Sequence, residues 1–155
     1  MPRAGISLGS NLGDRRANLR AAVDRLRKIA NPGELFLEAP IYETEPVDCP
    51  AGSEAFLNSV IEIGFNGDAF ELLGLTRQIE ADLGRQALRE RNAPRPIDLD
   101  LLYFGNQIID SEVLVLPHPR LCQRRFVLQP LADIRPELVL PGMTQSIGEL
   151  LALQP

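Results

Sequence analysis

Two carboxylates lie two residues apart in a segment whose neighbouring residues are apolar. Asp98 and Asp100 flank Leu99, and because side chains alternate along a β-strand, a strand here would place both acids on one face. Two neighbouring carboxylates repel each other, and a bound divalent cation offsets this electrostatic repulsion. Carboxylate oxygens suit Mg²⁺, which commonly completes its coordination shell with water and substrate phosphates. The pair is therefore a candidate magnesium site, whereas an isolated Asp-x-Asp is more often a pair of solvated strand carboxylates.

An arginine-rich segment directly precedes these acids. Residues 85–96 contain four Arg, two Pro and almost nothing apolar, so we expect a solvated, mobile loop that takes no part in a core. Arginines beside a metal site supply what phosphoryl transfer requires, which is charge neutralisation around the transferred group. The glycine-rich motif GxxxxGK[ST] is absent from the sequence. Side chains and metal, rather than a nest of backbone amides, are therefore expected to hold any phosphate.

Charge is unevenly distributed along the chain. The formal net charge is -5, but residues 85–125 carry seven Arg against five acidic residues, a balance of +2 that leaves -7 for the remainder. The acidic whole gives no reason to expect binding to nucleic acid or to an anionic membrane. The cationic segment fits a local anion site, although a run of surface charge is the commoner meaning of such a segment.

Length and cysteine content indicate the class of protein. A chain of 155 residues with 45% hydrophobic content predicts one globular domain over residues 1–155. The two cysteines, Cys49 and Cys122, are far apart and no signal peptide is recognisable, which favours reduced thiols in a cytoplasmic protein. No apolar run approaches the roughly 20 residues that are needed to cross a bilayer. We also expect the protein to be a monomer.

The elements that must position these residues alternate between strands and helices. The predicted strands cover 4–8, 35–44, 56–65 and 97–104, the last joined to 107–109 as a tight hairpin through Gly105-Asn106. The predicted helices cover 14–30, the stretch from an Asp68–Glu71 capping box to Gly84 with an apolar stripe of Leu72, Leu75, Ile79 and Leu83, and short pieces near 121–132 and 146–153. This order predicts an α+β fold, a ferredoxin-like sandwich with an antiparallel sheet and extra C-terminal elements.

Several motifs together resemble one family. The segment 91–102, RNAPRPIDLDLL, is similar to the signature of the hydroxymethyldihydropterin pyrophosphokinases. Further matches, in the family's order, are LGSNLGD at 8–14, YETEP at 42–46, FLN at 56–58, Ile79-Glu80 through Gly84-Arg85, and PHPR at 117–120 with 124–131. The resemblance spans nearly the whole chain, and agreement at several separate motifs is far more specific than any one of them.

The resemblance implies transfer of pyrophosphate from ATP to 6-hydroxymethyl-7,8-dihydropterin in folate biosynthesis, with AMP as the other product. Asp98 and Asp100 match ligands of two Mg²⁺ ions, and Arg85 and Arg95 match catalytic arginines that neutralise the transferred group. The positions that match the ATP-binding surroundings are Glu80, Arg85, Arg91, Arg95, Leu101, His118 and Arg124.

The same resemblance implies a pterin pocket. Phe56 and Phe126 match two aromatic residues that sandwich the ring, and Asn58 matches an amide that pairs with its polar edge. Backbone groups at Thr44, Glu45 and Val47 are further candidates for hydrogen bonds to the pterin. Without the family match, the two phenylalanines would be assigned to the core.

The loop departs from the family's common pattern. Asn92 stands where an aromatic residue is usual, Ala93 where Gly is usual, and Ala87 where many members have a second Arg, for which Arg89 is a possible substitute. These departures leave the metal ligands, Arg95 and the pterin residues in place, so an active enzyme is the favoured interpretation.

Three other interpretations remain open at this stage. The altered loop is compatible with an inactive relative that binds ATP or pterin without transfer. A ferredoxin-like binding module, such as an RNA-recognition domain, is disfavoured because aromatic residues make up only 5% of the chain and the net charge is acidic. A nonspecific metal phosphatase or nuclease would hydrolyse its substrate without any pterin.

Overall fold

The computed structural model describes residues 2–45, 55–84 and 96–155. In chain order the elements are β1 (Arg3–Ser10), α1 (Arg15–Ile29), β2 (Leu37–Glu38), β3 (Tyr42–Thr44), β4 (Phe56–Gly64), α2 (Ala69–Asp82), β5 (Asp98–Phe104), β6 (Ile109–Asp110), β7 (Val115–Leu116), α3 (Arg125–Ile134) and α4 (Ile147–Ala152). A single turn of 3-10 helix over Leu121–Gln123 precedes α3.

The main sheet has the strand order of the predicted sandwich. Strand β1 pairs antiparallel with both β4 and β5, and β2 and β3 each pair antiparallel with β4. The order is therefore β2 and β3, then β4, β1 and β5. This is the antiparallel order of a ferredoxin-like fold, so the predicted fold class is confirmed.

Local sequence signals determine where the two main helices begin. The Asp14 side chain accepts a hydrogen bond from the Ala17 N–H at 3.1 Å, which caps α1. Asp68 and Glu71 form the predicted capping box of α2, with bonds of 2.8 and 3.2 Å. The predicted apolar stripe of α2 is wrong at one position, because Leu75 is 38% exposed while Thr76 is buried.

The predicted strand over residues 35–44 is interrupted. Strand β2 pairs with β4 through Leu37 and Glu38, and β3 resumes the pairing only at Tyr42. Pro40 lies between them, and proline has no N–H with which to continue a ladder. The single predicted strand is therefore two short ones.

The predicted hairpin after β5 is also wrong in its pairing. Gly105, with φ of +55°, and Asn106 form a turn in which the Gln107 N–H bonds to the Phe104 carbonyl at 3.1 Å. The chain beyond this turn does not pair with β5. Instead β6 pairs with β7 in a separate two-stranded sheet, Ile109 opposite Leu116.

The two faces of the main sheet carry two cores. On one face, α1 and α2 pack on alternate residues of β1 that include Ala4, Ile6 and Leu8. The other face is covered by α3 and α4, whose Val127, Leu128, Leu131 and Ile147 pack with residues of β4 and β5. The helix predicted near 121–132 is the 3-10 turn followed by α3, because the turn ends at Gln123 and the helix begins at Arg125.

A buried polar network joins the second core to the sheet. Glu62 is fully buried and accepts hydrogen bonds from Arg3 at 2.9 Å and from Arg135 at 2.9 and 2.7 Å. The Tyr103 hydroxyl also donates to Glu62. A buried carboxylate costs little only when it is paired and hydrogen-bonded in this way, so the network fixes the end of α3 against the sheet.

No helix in the described ranges is both long enough and apolar enough to span a membrane.

Candidate active site

The candidate site begins with a row of three residues across the central strands. Gly9 of β1 stands opposite Asn58 of β4 on one side and opposite Asp98 of β5 on the other. Directly paired residues of antiparallel strands project to the same face. Asn58 and Asp98 therefore share the sheet face that α3 and α4 cover further along the strands, and only a glycine separates them.

The two predicted metal ligands lie on one face of β5. Leu99 and Leu101 point into the α1/α2 core and are 5% and 4% exposed, while Asp98 and Asp100 on the opposite face are partly exposed. Two carboxylates that share a partly open face favour a divalent cation. Within the described ranges no group of three or more His, Cys, Asp or Glu side chains could hold a metal ion.

These acids form one wall of a cleft of about 910 Å³. Its other walls come from α2 and from the stretch between β6 and α3. The lining residues that the family resemblance singles out are Glu80, Asp98, Asp100, Leu101, His118 and Arg124. The mixture of carboxylates and cations on the walls is suited to a metal-bound polyphosphate.

The apolar part of this cleft was not predicted. Leu73 of α2 and Val113 and Val115 of the β6–β7 region line it together with Leu101. Val113 is 56% exposed and Val115 is 39% exposed. In the sequence these valines are typical of an ordinary strand, so only their exposure beside the acids marks them as binding residues.

His118 is held as a neutral hydrogen-bond donor. Its backbone N–H bonds to the Leu102 carbonyl at 2.8 Å, and its Nδ1 accepts from the Arg120 N–H at 3.1 Å. Burial lowers the pKa of His118 below 6.5, and the charges of Arg124 and Arg120 lower it further against the opposing effect of Asp98. A neutral ring whose Nδ1 is an acceptor carries its proton on Nε2, which is then available to a phosphate oxygen.

Arg124 lies between the two halves of the site. Its Nη1 is 3.9 Å from Asp100 Oδ2, and its guanidinium carbon lies 5.5 Å from the centre of the Phe126 ring. The first distance is a loose ion pair and the second a cation–π contact. Arg124 therefore connects the carboxylate pair to one of the two predicted aromatic residues of the pterin pocket.

Glu80 supports the backbone of β5 between the two acids. It is 8% exposed, and its Oε2 accepts the Leu99 N–H at 2.8 Å. This bond satisfies an amide on the edge of the sheet, where, among the described strands, none pairs with β5 beyond β1. The structure thus gives Glu80 a positioning contact in addition to its place in the cleft wall.

The predicted pterin residues meet at the other end of the row. Asn58 is 5% exposed, and its Nδ2 donates to Thr44 Oγ1 at 2.6 Å. Phe56 precedes it on β4, and a Cβ placed on Gly9 would be 3.3 Å from Asn58 Oδ1 and 3.6 Å from Phe56 Cδ1. Phe126, in the first turn of α3, is 40% exposed. The family resemblance implies a role only for the backbone of Thr44, so its side-chain contact is new.

Some predicted site residues lie outside the described ranges. These are Val47, Arg85, Arg91 and Arg95, together with Ala87, Arg89, Asn92 and Ala93 of the loop pattern. Glu45 is exposed and is the last described residue before the gap at 46–54.

Comparison with known proteins points to one family. Residues 5–136 match the family described as "7,8-dihydro-6-hydroxymethylpterin-pyrophosphokinase (HPPK)". A Bacillus subtilis protein named "2-amino-4-hydroxy-6-hydroxymethyldihydropteridine pyrophosphokinase" is 48% identical over 130 residues, covering 83% of this chain and 75% of that protein. A Pseudomonas aeruginosa protein of the same name is 38% identical over 154 residues, covering 99% of this chain and 92% of that protein.

Solved structures share the fold. A crystal structure described as HPPK-DHPS in complex with substrates superposes with a TM-score of 0.75 at 15% identity, covering 97% of this chain and 43% of that chain. Wild-type Plasmodium falciparum HPPK-DHPS with pteroate gives a TM-score of 0.74 at 14% identity, covering 97% of this chain and 44% of that chain. This chain thus spans less than half the length of those two chains. The family match over residues 5–136 and the two relatives show that the chain belongs to the 7,8-dihydro-6-hydroxymethylpterin-pyrophosphokinase family.

Proposed function

We propose that this chain transfers pyrophosphate from ATP to 6-hydroxymethyl-7,8-dihydropterin, giving AMP and the pterin pyrophosphate in folate biosynthesis. Its relatives are named as pyrophosphokinases of the hydroxymethyldihydropterin and as folate synthesis proteins. The observation that carries the proposal is the row formed by Asn58, Gly9 and Asp98. It brings a residue suited to a heterocycle and a residue suited to a metal-bound phosphate to one face of the sheet, as a reaction between two substrates requires.

In the proposed reaction the hydroxymethyl oxygen attacks the β-phosphorus of ATP. A bond forms between that oxygen and the β-phosphorus, the bond from the β-phosphorus to the bridging oxygen of the α-phosphate breaks, and AMP leaves with the bonding electrons. The proton of the alcohol passes to solvent. The chain needs no covalent intermediate for this step, and its contribution is alignment and charge stabilisation.

Asp98 and Asp100 are the residues that would hold Mg²⁺. Their shared, partly exposed face fits the ion, and the family resemblance suggests two ions. Bound magnesium would supply positive charge to the phosphate oxygens and to the attacking oxygen. Glu80 would keep the two acids aligned, because its Oε2 accepts a 2.8 Å hydrogen bond from the N–H of Leu99, the residue between them.

Cationic and donor groups on the opposite wall would hold the ATP phosphates. Neutral His118 offers its Nε2 proton, and Arg124 offers a guanidinium that is already directed at the carboxylate pair. We assign the adenine-side contacts to the backbone near Leu101, whose side chain points into the α1/α2 core, and to the exposed Val113 and Val115 of the cleft. Arg85, Arg91 and Arg95 would approach from residues 85–96 to neutralise the transferred group, with Arg85 and Arg95 acting in the transition state.

The pterin would occupy the other end of the row. Phe56 and Phe126 would stack on the ring, and Asn58 would pair with its polar edge. Backbone groups of Thr44, Glu45 and Val47 would provide further hydrogen bonds. Stacking between two aromatic faces contributes about 1 to 3 kcal/mol per face by analogy with nucleic-acid bases, so it would also orient the hydroxymethyl group.

The remaining proposals concern the chain as a whole. We infer one catalytic domain over residues 1–155 and a monomer in the cytoplasm; the loop predicted at about 85–96 lies, except for Pro96, outside the described residues. We also infer that neither nucleic acid nor a membrane is a partner, because the net charge is -5.

The test is the formation of AMP. ATP, magnesium and the reduced pterin alcohol are incubated with the protein, and AMP and pterin pyrophosphate are separated by chromatography. The proposal expects equal amounts of both products only when all three components are present. AMP formed without pterin, or phosphate release alone, would identify a hydrolase instead, and binding of both ligands without AMP would identify an inactive relative.

A further inference from the structure

The side chain of Thr44 makes a partly buried contact that its predicted role does not require. Thr44 Oγ1 lies 2.6 Å from Asn58 Nδ2 and accepts a hydrogen bond from it. The two residues are diagonal neighbours on β3 and β4, since Tyr42 stands opposite Asn58 and Thr44 opposite Phe56. The bond therefore links the side chains of two neighbouring strands, and it joins edge strand β3 to Asn58, the candidate pterin-binding residue of β4.

This bond determines which atom of the carboxamide faces the site. With Nδ2 turned toward β3, the oxygen Oδ1 is turned toward β1, where it is the nearest atom, at 3.3 Å, to the position a Cβ would take on Gly9. An amide oxygen accepts hydrogen bonds and donates none. A ring placed over Gly9 would thus meet an acceptor, and only a ring with an N–H group at that edge would satisfy it.

The carboxamide is nearly enclosed, so its orientation matters. Asn58 is 5% exposed, and a buried amide that loses a partner is free to turn about its last torsion or is left unsatisfied. Without the Thr44 hydroxyl, the oxygen and nitrogen of Asn58 would exchange places more readily. Part of the protein population would then offer a donor where the ligand also has a donor.

We propose that the Thr44 hydroxyl is a positioning group for pterin recognition, which holds the Asn58 oxygen toward the N–H edge of the substrate. This inference rests on the proposed function for the identity of the ring. Thr44 acts through Asn58, and its hydroxyl does not touch the reacting atoms. It sets affinity and selectivity for the pterin and leaves ATP binding unchanged.

The competing explanation is that the bond only stabilises the sheet. Ser59 offers a matched control, because its Oγ donates to the Ala39 carbonyl at 2.9 Å, is buried, and ties the chain beside β2 to the same strand β4. Ser59 alternates to the face opposite Asn58. A Ser59→Ala variant thus loses a comparable buried hydrogen bond without disturbing the carboxamide.

The experiment compares Thr44→Val, which keeps the shape and removes the hydroxyl, with Thr44→Ser, which restores it. KM is measured for the pterin alcohol and for ATP, and calorimetry gives the Kd of a dihydropterin that carries a methyl group in place of the hydroxymethyl group. We expect Thr44→Val to raise pterin KM and Kd about three- to tenfold, the range of one net hydrogen bond. ATP KM should stay within about twofold, and Thr44→Ser and Ser59→Ala should bind pterin like the wild type.

The inference is overturned if Thr44→Val binds the methyl pterin as tightly as the wild type, if ATP KM rises in parallel, or if Thr44→Ser fails to restore affinity. Should Thr44→Val not fold, Thr44→Ala, which also lacks the hydroxyl, is measured by the same calorimetry against Thr44→Ser. If the wild-type protein forms no AMP in the presence of pterin, the proposed function is contradicted. That result does not depend on the variants.

Discussion

Asn58 and Asp98 stand opposite the same residue, Gly9, from the strands on either side of it. Neighbouring strands are about 4.8 Å apart, so the backbones of the two residues are about 10 Å apart with a glycine, itself buried, between them. Glycine weakens the interior of a strand, and it is commonly found where a ligand approaches the backbone closely. The relationship suggests that the substrates meet over Gly9.

Gly9→Ala should therefore impair activity without unfolding the protein. The added methyl group would lie 3.3 Å from Asn58 Oδ1 and 3.6 Å from Phe56 Cδ1, within the space that the pterin would use. We expect pterin KM to rise about tenfold or more and kcat to fall, because displacement of a reacting group by about 1 Å can cost about 100-fold in rate. Steady-state kinetics with each substrate varied in turn would measure both effects. Unchanged kinetics would show that the ring does not lie over β1.

Asp98→Asn should greatly reduce turnover by weakening magnesium binding. Metal-assisted charge stabilisation is worth several kcal/mol, so kcat should fall about 100- to 1000-fold. The free energy of unfolding should stay within about 1 kcal/mol of the wild-type value, since Asp98 is partly exposed. Titration of magnesium into the protein with a nonhydrolysable ATP analogue measures the first effect, and urea unfolding measures the second.

Asp110→Asn is the control for that variant. Asp110 is an exposed acid on β6 and does not line the cleft, so its loss changes the net charge by the same amount without touching the site. Wild-type magnesium affinity is expected for Asp110→Asn. Equal loss of activity in both variants would mean that overall charge, and not a metal site on β5, explains the effect.

The parts of the fold that depend on short stretches of sequence were predictable. The capping box at Asp68 is read directly from residue types three positions apart, and it is present. Strand pairing depends on residues far apart in the chain. The turn at Gly105-Asn106 was therefore recognised, whereas the partner of β6 proved to be β7 and not β5.

The same distinction applies to the site. Alternation alone placed Asp98 and Asp100 on one face, and the buried Leu99 between them confirms it. The hydroxyl of Thr44 and the exposed Val113 became visible only when the sheet brought β3 against β4 and the β6–β7 region beside the acids. Such contacts come from tertiary packing, which no local pattern contains.

Tyr103 should make stability fall at high pH. Burial raises the pKa of Tyr103 well above its ordinary value of 10.0, and the charge of Glu62 raises it further. The unfolded chain then loses its phenolic proton first, so this contribution is fully present below pH 10 and is lost as the pH rises above it. We expect Tyr103→Phe to be less stable than the wild type by about 1 to 2 kcal/mol at pH 7, from the lost hydrogen bond to a charged group.

Urea unfolding of both proteins at about pH 7, 10 and 11 checks this prediction. The wild type should lose part of its advantage between the two alkaline values, because the phenyl ring of the Tyr103→Phe variant has no proton to release. A constant difference at all three values would show that the phenol does not titrate with unfolding in this range.

Gly5→Ala should lower the stability of the protein and leave its affinity for pterin unchanged, whereas Gly9→Ala should lower the affinity. Both glycines lie on one face of β1. A Cβ on Gly5 would be 2.2 Å from Cε2 of Tyr103, and that ring is 2% exposed and held by its hydroxyl to Glu62. Overpacking of this kind costs about 1 to 3 kcal/mol or more. We expect a melting temperature lower by about 2 to 12 °C, with pterin KM near the wild-type value below the transition. Because the two changes are chemically identical, a fall in stability at one position and in pterin affinity at the other would separate the covered part of the sheet from the part that binds substrate. Loss of stability in both variants would contradict a substrate site at Gly9.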